Sequence, residues 1–119
     1  MDRCPDLDEL TAFFGVAAVA AYGNEGIGWY YDQLKFATGN ESMRIVCEIE
    51  PAERAFSLLY IECGRKVIDI SLQYVVSLDL ESSAGTETLV GRVSQGGVEQ
   101  LFKLTLDPLT FRLGTGLPG

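Results

Sequence analysis

The sequence predicts a mainly β (α+β) protein, with one N-terminal helix packed on a curved antiparallel meander sheet or partly closed barrel of seven to eight strands. Three observations predict it. Helical spacing is confined to the start of the chain. From residue 29 onward the apolar residues recur with a period of two. The segments between them are too short for parallel crossovers, which need about a dozen residues or more.

The helix is expected over about 6–22. Asp6 is placed to cap it, Glu9 stands three residues on as in a capping box, and Asp8 puts a favourable charge in the first turn. Leu7, Leu10, Phe14, Ala17 and Ala21 lie at helical spacing, and Gly23-Asn24 supplies a stop. The alanines and valines of 15–22 leave the period of that stretch unsettled, so an extended segment there is the alternative.

Antiparallel strands are expected over about 29–113. Trp29 to Ala37 reads as the first, with Gly39-Asn40 as a hairpin turn. Ser42 to Glu50 alternates Met43, Ile45, Cys47 and Ile49 against Arg44, Val46, Glu48 and Glu50. Pro51 to Arg54 is a turn into Phe56–Cys63, and Gly64-Arg65 reads as the next hairpin turn. Alternation then runs through Ile68, Ile70, Leu72, Val76, Leu78 and Leu80, as one bent strand or as two meeting near Gln73-Tyr74. Three more strands follow near 86–93, 98–106 and 109–113, and the tail 114–119 has no period and is expected to fray.

Pairing across Gly64-Arg65 sets Ile61 opposite Ile68 and Leu59 opposite Ile70. It leaves Phe56, Leu58 and Tyr60 on the other face, where the helix, a curled strand or another protein must cover them. These three residues are therefore interface candidates.

At 119 residues the chain has the length of one ordinary domain, and residues 1–119 are expected to form one. Seventeen Asp and Glu face nine Lys and Arg, for a formal net charge of −8, and there is no histidine. That balance, with Arg65-Lys66 the only adjacent basic pair, speaks against nucleic acid and is compatible with a basic protein partner. Without histidine, His-dependent triads and imidazole metal sites are excluded. No Cys-x-x-Cys or calcium-loop pattern occurs, so neither metal nor cofactor is expected. Cys4, Cys47 and Cys63 lack a disulfide spacing, the N-terminus lacks a signal-peptide charge, and no apolar run reaches the roughly twenty residues of a membrane helix. A cytoplasmic protein is expected. The glycosylation sequon Asn40-Glu41-Ser42 has no role there.

Two groups stand out as binding candidates. Trp29-Tyr30-Tyr31-Asp32 puts aromatic rings on both faces of a strand, so that Trp29 and Tyr31 offer anchors beside the Asp32 charge. Glu48, Glu50 and Glu53 crowd one strand end and its turn. The glycine-rich Gly23–Gly28 segment is a linker, because it lacks the Lys-Ser/Thr ending of a phosphate loop.

The glycine-tryptophan opening at Gly28-Trp29 resembles that of lipocalins, although the order at Ile27-Gly28 and the short length depart from theirs. In size, acidity and helix-then-meander layout the chain is similar to bacterial immunity proteins that neutralise toxins. This is a likeness of type that carries no site residues. The leading expectation is a non-enzymatic protein-interaction module that engages a basic partner, immunity- or inhibitor-like, or homodimerises. A curved sheet or barrel binding a small apolar ligand is the alternative, and a histidine-free carboxylate enzyme the second alternative.

Overall fold

A computed structural model describes residues 1–23 and 27–115. The chain divides into two compact units, Asp6–Gln73 and Met1–Pro5 with Tyr74–Gly119.

The first unit opens with helix α1 (Leu7–Phe14). Asp6 accepts a hydrogen bond from the Glu9 amide, and the Glu9 carboxylate accepts one from the Asp6 amide, which completes the expected capping box. The helix stops eight residues before the predicted end. Gly15 takes a left-handed conformation (φ 73°), and its amide bonds back to Thr11. A C-cap glycine outweighed the helix-forming alanines beyond it, which instead lead into the two-residue strand β1 (Val19–Ala20).

Residues Ile27–Tyr31 form a short 3₁₀ turn rather than the start of a strand. Five strands then make the sheet, in the order β1-β2-β3-β4-β5, all antiparallel: β2 (Leu34–Gly39), β3 (Met43–Glu50), β4 (Ala55–Glu62) and β5 (Arg65–Leu72) after β1. The register aligns Leu34, Ile49 and Phe56 in one row and Phe36, Cys47 and Leu58 in the next. All six are buried, and Phe14 of α1 stacks on Phe36 with ring centroids 4.5 Å apart. The helix therefore packs on this face of its sheet at β2.

The predicted register between β4 and β5 is corrected by one residue. The turn is Cys63-Gly64, both at positive φ, and Glu62 pairs with Arg65. A bulge after Tyr60 then sets Tyr60 opposite Ile68, Leu58 opposite Ile70 and Phe56 opposite Leu72. A slip of one residue exchanges the two faces of a strand. Phe56 and Leu58, each 1% exposed, therefore lie in the core, while Leu59 and Ile61 take the outer face.

The second unit is a four-stranded antiparallel meander of β6 (Val75–Ser83), β7 (Thr86–Gln95), β8 (Val98–Leu106) and β9 (Leu109–Thr115). The long alternating stretch is thus two strands that part at Gln73-Tyr74, in two sheets that do not close into a barrel. Val75, Leu78, Leu89, Phe102 and Leu104 are fully buried. Gly91 sits under the Phe102 ring, where a Cβ would come within 1.9 Å of the ring carbons. Asp2 and Arg3 add a parallel bridge along β6: the Asp2 amide donates to Val76, the Leu78 amide donates to Arg3, and the Arg3 guanidinium pairs with Asp79 at 2.9 Å. The expectation of a frayed tail concerns 114–119, of which 116–119 lie outside the described residues, as do 24–26 of the glycine-rich connector.

Candidate functional site

The site forms at the end of the first unit's sheet where the 3₁₀ turn meets the β3–β4 turn. It is organised by Asp32, only 2% exposed. Its carboxylate accepts from the Tyr22 amide at 2.9 Å and from the Gln33 amide at 2.7 Å. The Asp32 amide donates to Trp29, the Ala21 amide donates to the Gln33 carbonyl, and the Ala52 amide donates to the Tyr30 carbonyl. One buried carboxylate and three backbone bonds thus tie the β1 exit, the 3₁₀ turn and the β3–β4 turn together. Asp32 is a positioning residue, and its oxygens face backbone amides.

The result is a cavity of about 100 Å³ lined by Tyr22, Tyr31, Asp32, Gln33, Glu50, Ala52 and Glu53. Tyr22 is 73% and Tyr31 76% exposed, unusual values for rings of this size. Tyr31 is held edge-to-face against Tyr30, at 5.4 Å between centroids. Neither Glu50 nor Glu53 has an ion-pair partner among the described residues. Glu50 also lines a second, shallower cavity of about 170 Å³ with Glu48, Ser57 and Ser71 on the outer face of the sheet. The Glu48 carboxylate there accepts from the Gln33 side-chain amide at 2.8 Å. The unit that carries this site holds eleven of the seventeen acids and five of the nine cations.

Of the residues singled out from sequence, Tyr31, Asp32, Glu50 and Glu53 line one cavity, and Glu48 joins it through the neighbouring one. Trp29 packs edge-to-face on Tyr30 at 6.0 Å, half-buried, and does not line that cavity. Phe56 and Leu58 belong to the core, and Tyr60 is half-buried with its hydroxyl donating to Glu62 at 3.1 Å. Tyr22 is the residue sequence reasoning missed. It falls in the stretch expected to be helical, and only the early stop at Gly15 places it beside Tyr31.

Lys35, Lys66 and Lys103 are all exposed, and burial followed by the Glu48 charge pushes the Cys47 thiol well above its usual range. Among the described residues no group of three or more Cys, Asp or Glu is placed to hold a metal ion. No helix among them is long and apolar enough to cross a membrane.

No family model matches the sequence, and no curated protein matches it either. The fold does have a counterpart: over 95% of each chain, with a TM-score of 0.77 and 10% identity, this protein is similar to a chain of the contact-dependent growth inhibition toxin–immunity protein complex from Klebsiella pneumoniae 342.

Proposed function

We propose that the chain is a non-enzymatic protein-interaction module, immunity- or inhibitor-like, that holds a basic protein partner at the Tyr22–Tyr31–Glu50–Glu53 cavity. The observation that carries this reading is the pairing of two highly exposed tyrosines with two carboxylates that have no ion-pair partner among the described residues. Tyrosine supplies contact area at low entropic cost, and carboxylates left unpaired at a rim steer and orient a cationic surface. The likeness of fold to a chain of a toxin–immunity complex supports the reading by analogy, since a fold alone does not carry a function. Cys47 and Cys63 are free thiols, which fits a reducing compartment, and we place the encounter in the cytoplasm.

Native mass spectrometry of the protein captured from its own source cell tests this. The expected result is a stoichiometric complex with a basic protein that dissociates as salt rises. The double reversal Glu50→Lys with Glu53→Lys then weakens that complex by about tenfold to a hundredfold, from roughly 1 kcal/mol or less per rim charge together with new repulsion. A bare chain, a homodimer, or a complex indifferent to the double reversal would overturn the proposal.

A further inference from the structure

At the far end of the same sheet lies a larger cavity, about 520 Å³, bounded by the β2–β3 hairpin loop and by Ile61 of β4. It is broadly open to solvent, and its volume falls within the range of small-molecule sites. Its origin is local. Gly39 is the cross-strand neighbour of Arg44, at φ 120°, and a Cβ there would stand 2.1 Å from the Met43 carbonyl oxygen. Position 39 must therefore be bare, and it lines the cavity beside Arg44.

The donors around that space are prepared. Arg44 is exposed and has no ion-pair partner among the described residues. Asn40 is fixed by its own loop: its Oδ1 accepts from the Ser42 amide at 2.8 Å and the Met43 amide at 3.1 Å, while its backbone amide donates to Met43. With Oδ1 engaged, the amide plane is set, and Nδ2 keeps two donors with no acceptor recorded among the described residues. Ala37 and Ile61 give the cavity apolar wall, and Glu41 stands on its rim.

A guanidinium and an oriented amide beside an apolar wall suit one carboxylate on an apolar body. The single cation, the Glu41 charge and the net −8 of the chain work against dianions and polyanions. We propose that this cavity binds a monocarboxylate with an apolar body, Arg44 and Asn40 taking the carboxylate and Ala37 and Ile61 the body. The carboxylate belongs to a free acid or to a peptide C-terminus; the chemistry is the same.

The test is an NMR titration that follows the Arg44 and Asn40 side-chain N–H signals. Hexanoate is expected to move both saturably, with hexanamide at least about tenfold weaker and Arg44→Gln at least about tenfold impaired for hexanoate, as the loss of a charge-assisted hydrogen bond requires. An unchanged, dispersed backbone spectrum of Arg44→Gln shows that the loss is local. A short apolar peptide with a free C-terminus, against its amidated form, separates the two sources: tighter binding of the free peptide than of hexanoate marks a peptide terminus, and weaker binding marks a free acid. Equal binding of hexanamide, an unaffected Arg44→Gln, tighter binding of inorganic phosphate, or no saturable shift at several millimolar would overturn the proposal.

Discussion

Replacing Asp32 tests how the interaction site is built. Its carboxylate accepts at least two backbone amides, from Tyr22 and Gln33, while 2% exposed. Hydrogen bonds to a charged group contribute about 1.5 to 3 kcal/mol each. Tyr22 and Gln33 are not fully buried, so their released amides regain some water, and the lower end of that range applies to both. Asp32→Ala is therefore expected to lose about 3 kcal/mol. In a chain of this length that lowers the melting temperature by roughly 10 to 15 °C. Asp32→Asn keeps one oxygen that can accept both amides but loses the charge and puts an NH2 donor where Oδ2 stood, 3.3 Å from the Tyr22 amide nitrogen, so it should lose about 1 to 2 kcal/mol. Urea titration monitored by tyrosine and tryptophan fluorescence measures both. A variant Asp32→Ala within about 0.5 kcal/mol of the parent would refute the reasoning, because a buried carboxylate satisfied by backbone cannot be removed so cheaply. Equal losses for Ala and Asn would refute the part of it that credits geometry over charge.

Two further outcomes follow from the cores of the units. Gly91→Ala should destabilise the protein by about 1 to 3 kcal/mol, despite the better strand propensity of alanine, because the fully buried Phe102 ring has nowhere to move; adding Phe102→Leu should recover part of the loss in denaturant titration. Cys47, with its thiol pKa raised by burial and by Glu48, should stay unmodified by iodoacetamide in the native state while exposed Cys63 reacts, as read by peptide mapping. Because the folded state holds the Cys47 proton more tightly than the unfolded chain, the stability it contributes is intact below the unfolded thiol value of about 8.5 and declines as pH rises above it. Cys47→Ala should flatten that alkaline decline.

Much of the sheet was legible because its turns declare themselves. Pro51–Arg54, Gln95–Gly97 and Asp107-Pro108 each interrupt a period of two, and the strands on either side fall close to where that period places them. The departures all come from backbone conformation that side-chain pattern does not encode. Gly15 could continue a helix or cap it, and only the conformation at that residue decides. Trp29-Tyr30-Tyr31 has strand composition, yet Asp32 draws its backbone into a tight turn. At Cys63 the chain reaches positive φ without a glycine, which moves the hairpin turn, and the bulge after Tyr60 then makes the net shift one residue and sets Phe56 and Leu58 on the buried face. The site was readable to the extent that it is local. Tyr31, Asp32, Glu50 and Glu53 are drawn from two short segments with conspicuous chemistry, whereas Tyr22 reaches the cavity only through the early end of α1 and the amide it gives to Asp32.

The bridge between Asp2-Arg3 and β6 bears on the order in which the protein can assemble. Every strand within each sheet pairs with its neighbour in sequence, so each hairpin can close as soon as its second strand has been synthesised. Asp2 and Arg3 are the exception: they precede every hairpin, yet their partners Val76, Ser77, Leu78 and Asp79 are made more than seventy residues later. During translation this segment waits unpaired while the first sheet forms, and it docks only after β6 has left the ribosome.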